Sequence, residues 1–380
     1  MNVTALQRQP GDHAFSSDPR NAFTMPARLY HDAGVHEAEK AAIFYRSWIY
    51  IGHVSQVAEA GQYIQAQIHD QNVFVIRDRA GALNGFFNVC MHRGHELLDG
   101  SGKTNLIRCP YHAWAYDLDG TLKAARNSEN VDGFDKCAFS LRPVQVEVFC
   151  GLVMVNLDKD AVPFAEQTGD LEQEIRSYVP SVDRLAFAQR DTYDVAANWK
   201  TMIDNFLECY HCHCAHKDFV DLVDMETYRT TVHGIYSSQC AGAPRTTKAN
   251  AYEFEPGEVD FGYAGWFVWP NLSIWAYPGE PNLSVLQMNP GNGPENCIEY
   301  QDWFVPDGKP TKQLADAMAY QKDVLQPEDI GLCESVQRGL RSLAYNQGRF
   351  IVDRERTELS EHAVHHFQSM VVSALGLERG

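Results

Sequence analysis

The stretch Cys90-Met-His92, followed after sixteen residues by Cys109-Pro-Tyr-His112, decides the fold of this chain. Each short segment holds one thiol and one imidazole, at spacings of C-x-H and C-x-x-H. Gly94 and Gly102 mark turns around the first segment, and Pro110 stiffens the second. We therefore expect two loops that present their side chains to a single metal centre.

The ligand types in these loops favour an iron–sulfur cluster. Two thiolates with two imidazoles are the ligand set of a Rieske [2Fe–2S] centre, in which His replaces Cys on one iron. Zinc sites more often group Cys with Cys and His with His. Because thiolate and imidazole also suit zinc, a structural zinc site stays open as the alternative at this point.

The surroundings of the two loops have the pattern of β-structure. Val73-Phe-Val-Ile76 and the segment 83–89 are apolar and rich in aromatic residues, and Asp78-Arg-Ala-Gly81 between them is typical of a hairpin turn. Asp119-Gly120 is a second hairpin signal. Strands and tight turns therefore predict a small all-β domain, which we place at residues 45–160.

A second pair of imidazoles, His211 and His216, lies about a hundred residues downstream. Asp204, Glu208 and His211 have the spacing i, i+4, i+7, which predicts that they share one face of a helix. His216 lies about 140° further round an ideal helix, so both imidazoles reach one metal only if the helix bends, bulges or stops between them. Two His with one distant carboxylate form the facial triad of non-haem Fe(II) oxygenases.

Several cysteines surround these histidines. Cys212-His213-Cys214 leaves part of a zinc site open as an alternative. Helical spacing predicts that Cys209 and Cys212 point away from His211, and buried free Cys behaves mostly as a small apolar residue. We expect His213 to be an ordinary surface or packing histidine.

The residues flanking these ligands resemble a known family. From about Phe23 to Phe367, nearly the whole chain is similar to the catalytic α-subunits of Rieske non-haem iron oxygenases. The resemblance is carried by three motifs: Cys90-Met-His-Arg-Gly-His95, Cys109-Pro-Tyr-His-Ala-Trp114 and Asn198-Trp-Lys200.

The resemblance assigns ligands to two metal groups. One iron of the [2Fe–2S] cluster is expected on Cys90 and Cys109, and the other on His92 and His112. The mononuclear Fe²⁺ is expected to bind the remaining three ligands, which are His211, His216 and Asp329.

The third ligand of the mononuclear iron depends on aligning Gln326-Pro-Glu328-Asp329 with the carboxylate segment of the family. Asp329 is the expected ligand, with Glu328 and Asp323 as alternatives. Acidic residues are also enriched at helix starts without any metal. The residues themselves therefore leave the choice open.

The resemblance also assigns catalytic roles near the first iron histidine. Glu208 stands where ring-hydroxylating members usually carry Asp. By analogy it bridges a cluster histidine of the neighbouring subunit to His211, and so relays electrons across the interface of a homotrimer. Asn205 is the second residue of this segment that we expect to be catalytic.

The implied fold class is α+β. An all-β Rieske [2Fe–2S] domain is expected at 45–160, inserted near the start of a catalytic domain with a helix-grip antiparallel sheet. Residues 1–44 would form the N-terminal arm and the start of that domain, and 161–380 its mononuclear-iron part. Alternating segments such as 265–277 and 283–288 are consistent with the sheet.

Within the family, the segments 204–212 and 334–340 are similar to oxygenases of carnitine, glycine betaine and proline betaine. A quaternary ammonium cation has no N–H donor, so proteins recognise it with aromatic faces and carboxylates. One segment is dense in aromatic residues, and we expect a substrate-binding cage there, with plain core packing as the alternative: Trp266, Phe267, Trp269, Trp275 and Tyr277. Trp275 and Tyr277 alternate onto one face of a strand.

The expected reaction follows from the same resemblance. A flavin and iron–sulfur reductase would pass electrons from NAD(P)H to the cluster, and O₂ would be used to hydroxylate a C–H bond next to nitrogen, with loss of the C–N bond. An aromatic-ring-hydroxylating dioxygenase is the alternative enzyme. A non-enzymatic electron carrier would leave the second pair of histidines unexplained.

Composition bounds the remaining possibilities. The 380 residues carry a net charge of 32 − 50 = −18, which argues against a nucleic-acid partner and is compatible with a cationic substrate. Residues 1–20 are polar and no run of eighteen apolar residues exists, so we expect no signal peptide and no membrane partner. Ten Cys with none needed for a disulfide indicate a reducing, cytoplasmic location.

Overall fold

In the computed structural model, which describes residues 6–242, 248–254 and 262–377, the chain divides into two compact units. One unit is Phe44–Glu166, and the other joins Met1–Ile43 to Gln167–Gly380. A segment of the N-terminal part thus belongs to the larger unit, and the smaller unit is inserted after it.

The smaller unit is built from antiparallel strands. A seven-stranded sheet has the order β1-β10-β9-β4-β3-β2-β5, and a three-stranded sheet has the order β6-β7-β8. The strands are β1 (Ile49–His53), β2 (Gln62–Ile68), β3 (Gln71–Arg77), β4 (Leu83–Phe87), β5 (Ser101–Lys103), β6 (Ile107–Arg108), β7 (Ala115–Tyr116), β8 (Leu122–Ala124), β9 (Pro143–Phe149) and β10 (Leu152–Asn156). The predicted all-β domain is confirmed.

Turn residues fix the hairpins of this unit. The Asp78 carboxylate accepts hydrogen bonds from the backbone N–H groups of Ala80 and Ala82, at 2.8 and 2.9 Å, which closes the turn between β3 and β4. Gly120, between β7 and β8, has φ +81°, and a Cβ there would lie 2.4 Å from the Phe86 ring. Glycine is therefore required at this close approach on both conformational and steric grounds.

The larger unit is built on a second antiparallel sheet with the order β11-β17-β16-β15-β14-β13-β12. Its strands are β11 (Leu185–Val195), β12 (Arg229–Val232), β13 (Tyr236–Cys240), β14 (Ala264–Val268), β15 (Leu272–Ala276), β16 (Leu283–Pro290) and β17 (Cys297–Pro306). The helices are α1 (Ala33–Glu39), α2 (Phe164–Gln167, at the boundary between the units), α3 (Leu171–Tyr178), α4 (Trp199–Phe206), α5 (Cys212–Ala215), α6 (Lys217–Leu222), α7 (Lys312–Tyr320), α8 (Gln326–Gly339) and α9 (His362–Ala374). A π-helical turn, Gln321–Leu325, joins α7 to α8. The predicted α+β class is confirmed.

Helices cover both faces of this sheet. On one face, the Trp266 indole N–H donates to Glu174 of α3 at 3.1 Å, and the Tyr178 ring packs edge-on against Trp266. On the other face, Phe367 of α9 packs against Phe267 at 5.4 Å between ring centroids. None of the helices in the described ranges has both the length and the apolar character needed to cross a membrane.

The Asn198-Trp-Lys200 motif fixes the start of α4. The Asn198 side chain accepts from the Lys200 backbone N–H at 3.0 Å, which is a standard N-cap. The Lys200 ammonium, with no exposed side-chain area, pairs with the equally buried Glu39 carboxylate of α1. Trp199 Nε1 donates to the other Glu39 oxygen at 2.9 Å. This buried network ties α4 to the N-terminal part of the unit.

Candidate metal centres and active site

The two cluster loops of the smaller unit have matching backbone geometry. Cys90 N–H donates to the carbonyl of His95 at 2.8 Å, and Cys109 N–H donates to that of Trp114 at 2.8 Å. Gly94 N–H donates to the Cys90 carbonyl at 3.0 Å, and Ala113 N–H donates to the Cys109 carbonyl at the same distance. Gly94 and Ala113 both have positive φ, at 73° and 58°. Each loop therefore turns tightly enough to aim its Cys and its His at one point.

The side chains of these loops converge on one another. Cys90 and Cys109 are both 2% exposed, and the His92 and His112 ring centroids lie 4.7 Å apart. His112 Nδ1 is buried without a hydrogen-bond partner in the described structure. Burial raises the pKa of the Cys90 thiol, and the neighbouring Cys109 adds to that rise.

Two thiols and two imidazoles in this arrangement fit a [2Fe–2S] cluster with mixed ligands. The orphaned Nδ1 of His112 is accounted for if that atom binds iron. Cys90 Sγ lies 3.3 Å from the Tyr116 hydroxyl, which is placed to donate to a cluster thiolate. Such a donor stabilises the additional negative charge on sulfur when the cluster is reduced.

The second site forms where a helix stops. α4 ends at Phe206, and Leu207 N–H closes it on Ile203 at 3.0 Å. His211 is the N-cap of α5, and His216 ends α5 with φ −120° and ψ 66°. The required break between the two histidines is therefore present. The prediction that Glu208 and His211 lie on the Asp204 helix is wrong, because α4 ends before either of them.

Three ligand atoms from distant parts of the chain meet at this break. His216 Nε2 lies 3.0 Å from His211 Nε2 and 2.9 Å from Asp329 Oδ1, and His211 Nε2 lies 3.4 Å from the same oxygen. Ligand atoms of these three residues all lie within 4.8 Å of one another. Two imidazole nitrogens and one carboxylate oxygen at one point fit a mononuclear Fe²⁺.

The opposite nitrogen of each ring faces a second carboxylate. His211 Nδ1 lies 2.5 Å from Glu208 Oε1, and His216 Nδ1 lies 2.8 Å from Glu328 Oε2. A carboxylate at Nδ1 keeps the proton there and leaves the Nε2 lone pair free for a metal. Glu328, one alternative for the third ligand, therefore contacts the wrong nitrogen. Asp323, the other alternative, is exposed on the π-helical turn.

Charge in the site is set by these contacts. Burial alone would raise the pKa of Asp329, but hydrogen bonds with His211 and His216 lower it to about 2. Burial would lower the pKa of His211, but Asp329 and Glu208 raise it to about 10. Without a metal, the carboxylates therefore favour a protonated His211, and a divalent cation at its Nε2 would take the place of that proton.

A cavity adjoins the three ligands, with about 590 Å³ of empty space, part of it open to solvent. Its sheet side is formed by inward residues of β13, β15, β16 and β17, and its helix side by α4, α5 and α8 with the segments beside them. Asn205, which we expect to be catalytic, is one of its lining residues. The sheet side consists of Gln239, Trp275, Leu286, Met288 and Glu299. The helix side and the remaining walls consist of Met202, Asn205, Phe206, Glu208, Cys209, His211, Cys212, His216, Phe219, Tyr228, Tyr263, Tyr277, Gln321, Leu325, Gln326 and Asp329.

Only part of the predicted aromatic cage lies at this cavity. Trp275 and Tyr277 line it. The other three residues of the predicted cage are not among the described lining residues: Trp266, Phe267 and Trp269. Trp266 faces α3, where its indole N–H donates to Glu174, while Phe267 and Trp269 pack on Phe367. Four other aromatic residues line the cavity and no local sequence signal marks them: Phe206, Phe219, Tyr228 and Tyr263.

Cys209 and Cys212 also differ from expectation. They form a disulfide and line the cavity, whereas we expected no disulfide and side chains turned away from His211. The end of α4 is the physical reason. A tight turn, with Cys212 N–H donating to the Cys209 carbonyl at 3.0 Å, replaces the helical spacing. Since Cys212 is bonded to sulfur, the alternative zinc site has lost a ligand.

His213 lies at the surface, as predicted. Its side chain is 46% exposed, and its Nε2 lies 3.7 Å from Glu358. Cys214 is exposed with a free thiol. Neither residue is among those that line the cavity.

Glu299 on β17 is a cavity residue that the sequence did not predict. Its side chain is fully buried, Oε2 accepts from Gln326 Nε2 at 2.6 Å, and Oε1 has no described hydrogen-bond partner. Burial, together with the charge of Asp329, raises the pKa of Glu299 to about 8. A carboxylate at an inward position of an alternating strand was the available signal.

Comparison with known proteins gives consistent matches. Residues 182–377 match the ring hydroxylating alpha subunit (catalytic domain), and 47–135 match the Rieske [2Fe-2S] domain. The carnitine monooxygenase oxygenase subunit of Acinetobacter pittii is 37% identical over 97% of this chain and 99% of its own length. That of Escherichia coli K12 is 38% identical over 94% and 95%. A quaternary ammonium Rieske monooxygenase solved with L-carnitine superposes with a TM-score of 0.85, at 35% identity, over 95% of this chain and 97% of that one.

Proposed function

This chain belongs to the ring-hydroxylating α-subunits that carry a Rieske [2Fe–2S] domain, and we propose on that premise that it oxidises a carnitine-like quaternary ammonium compound. It is the oxygenase component of a Rieske non-haem iron monooxygenase, which takes electrons from a reductase and uses O₂. The predicted family, enzyme class and cofactors are thereby confirmed.

One observation carries the choice of a cationic substrate. The cavity lining contains aromatic faces and carboxylates, and no Lys or Arg is among the described residues that line it. Phe206 packs edge-on to Trp275 at 5.0 Å, so that two aromatic walls meet at one corner. Aromatic faces attract a methylated cation that offers no hydrogen-bond donor. Asn205 and Gln321 offer amide N–H groups to the opposite, anionic end of a carnitine-like zwitterion.

We assign the metal groups to the converging side chains. Cys90, Cys109, His92 and His112 would hold the cluster, and His211, His216 and Asp329 the mononuclear Fe²⁺. When bound, the cluster supplies single electrons and the iron activates O₂. The support is the convergence of ligand atoms at each point and the matching ligand chemistry.

The side chains around the iron ligands have separable tasks in this proposal. Glu328 keeps the proton of His216 on Nδ1, and Glu208 does the same for His211. Apolar lining residues such as Leu286 and Met288 exclude water from the substrate's methyl groups. The reacting carbon lies next to nitrogen, so hydroxylation gives a carbinolamine that collapses to an aldehyde and the free amine.

We propose that Glu208 also carries electrons from a neighbouring subunit in a homotrimer. Its side chain is 13% exposed and lines a second depression beside the cavity, together with Tyr30 and Asp204. It is therefore reachable from outside while touching His211. A flavin and iron–sulfur reductase using NAD(P)H, and a cytoplasmic location, complete the proposal.

Product analysis tests the substrate proposal. The purified oxygenase, with a surrogate reductase, is given carnitine, glycine betaine, proline betaine and an aromatic hydrocarbon, and O₂ uptake is measured. We expect uptake with carnitine and release of trimethylamine with an aldehyde. Formaldehyde would instead identify N-demethylation, and a cis-diol would identify the alternative aromatic-ring dioxygenase.

Metal analysis tests the site assignment. We expect three irons per wild-type chain, because a cluster holds two irons and the facial triad one. His211→Ala should lower the content to two and keep the visible absorption of the cluster. Loss of that absorption in His211→Ala would contradict the assignment. Glu208→Ala should keep all three irons while product formation falls.

A further inference from the structure

We propose that Glu299 is the carboxylate that selects the cationic head group of the substrate, an inference that rests on the proposed function. Glu299 lies on β17, opposite Met288 of β16, on the sheet side of the cavity. It reaches the same space as His211, His216 and Asp329 but comes from the opposite layer of the unit.

The hydrogen bonding of Glu299 is incomplete within the described residues. Gln326 Nε2 donates to Oε2, while Oε1 is buried and receives no bond. Buried acceptors are nearly always paired, because losing water without gaining a donor is unfavourable. An unpaired carboxylate oxygen on a residue that lines a cavity therefore points to a ligand. A quaternary ammonium group has no N–H to donate, and its positive charge would stabilise the ionised form of this carboxylate over the protonated form that burial favours.

The other carboxylates of the lining are already engaged. Asp329 contacts both imidazoles, and Glu208 contacts His211 Nδ1. Among the described lining residues, Glu299 is the carboxylate without a histidine partner. Its neighbours on the sheet side, Met288 and Trp275, offer apolar surface to N-methyl groups. Charge and apolar surface are thus presented together.

A neutral isostere separates charge recognition from shape. Replacing the nitrogen of carnitine by carbon gives 3-hydroxy-5,5-dimethylhexanoate, which has the same outline and no positive charge. Calorimetry on the fully loaded oxygenase above pH 8, where Glu299 is ionised, measures the dissociation constant of each compound. The wild type should bind carnitine at least about tenfold more tightly than the isostere, because a charge pair in a shielded site is only partly screened.

Glu299→Gln keeps the size of the side chain and removes its charge. We expect carnitine binding to weaken about tenfold or more and isostere binding to change by less than about twofold. Glu355→Gln, an exposed acid away from the cavity, makes the same change in net charge and should behave as the wild type. Iron content and the visible spectrum establish that each variant is folded.

The outcomes distinguish the two levels of the proposal. Equal wild-type affinity for carnitine and its isostere would overturn the role of Glu299. A Glu299→Gln variant that keeps the full wild-type preference for carnitine over the isostere would overturn it as well. Both results leave the oxygenase function standing. A wild type that binds neither compound and consumes no O₂ with carnitine overturns the proposed function. If Glu299→Gln does not fold, Glu299→Asp replaces it. Withdrawing the carboxylate by one methylene should weaken carnitine alone, and equal weakening of both compounds overturns the inference.

Discussion

Removing the ammonium of Lys200 tests the buried network that fixes α4. Lys200→Met keeps most of the side-chain volume and leaves the Glu39 carboxylate without its partner. Both side chains have no exposed area, so water does not replace the lost contact. Trp199 Nε1 still donates to Glu39 at 2.9 Å, which leaves one hydrogen bond for a buried charge.

The expected loss follows from the cost of an uncompensated buried charge. Breaking a buried pair by removing one partner destabilises a protein by about 3–5 kcal/mol. For a unit of this size, 1 kcal/mol shifts the melting temperature by roughly 2–4 °C, so Lys200→Met should melt roughly 6–20 °C below the wild type. When Glu39→Gln is combined with Lys200→Met no charge remains, and the amide carbonyl introduced at position 39 still accepts from Trp199. The double variant should recover at least half of the lost stability.

The assay is a double-mutant cycle on the full chain at equal iron loading. Urea midpoints read by tryptophan fluorescence give the free energy of unfolding of the wild type, both single variants and the double variant. A loss below about 1 kcal/mol in Lys200→Met would refute the reasoning, since it would mean that the pair carries no buried charge. A double variant no more stable than Lys200→Met would refute it as well.

Three further predictions concern single residues. Burial raises the pKa of Asp204 from 3.8 to about 7, so the stability due to its protonated form is complete below about pH 4 and lost as pH rises through 7. In urea unfolding, the free energy of unfolding of Asp204→Asn should therefore rise by about 2–3 kcal/mol relative to that of the wild type between pH 5 and pH 8. A difference between the two proteins that does not change with pH would contradict this. Gly120→Ala should destabilise the smaller unit by at least about 2 kcal/mol, because the added Cβ would meet the Phe86 ring. Gly133 has φ +72° and no atom within 4 Å of the added Cβ, so Gly133→Ala should lose only the stability that a left-handed backbone costs alanine. Equal shifts in melting temperature would argue against the contact with Phe86. Glu328→Gln should lose mononuclear iron to a chelator about 10–100-fold more readily while the cluster spectrum stays unchanged, and unaltered retention would exclude its part in orienting His216.

Local patterns account for the features that the sequence predicted well. The C-x-H and C-x-x-H segments and the Asp78 turn are short-range signals, and the structure forms loops and a hairpin there. The break between His211 and His216 followed from helix geometry alone.

The features that the sequence did not predict depend on where elements end and how they pack. The i, i+4, i+7 spacing predicts a helix that includes Glu208, because nothing in its neighbourhood shows that α4 stops at Phe206. The sequence also groups Trp266 with the cavity residues, because strand alternation divides a segment into two faces without showing which face the cavity occupies. The cavity side of Glu299 is defined by pairing with β16, a contact between segments that the sequence alone does not align.

The division of the cavity between its two layers has a practical consequence for engineering. Every proposed ligand of the mononuclear iron comes from the helix side, while Trp275, Leu286, Met288 and Glu299 come from the sheet side. A mutant library restricted to those four strand positions would change which substrates bind without changing the iron ligands. Selectivity and oxidative power can therefore evolve along independent routes in this scaffold.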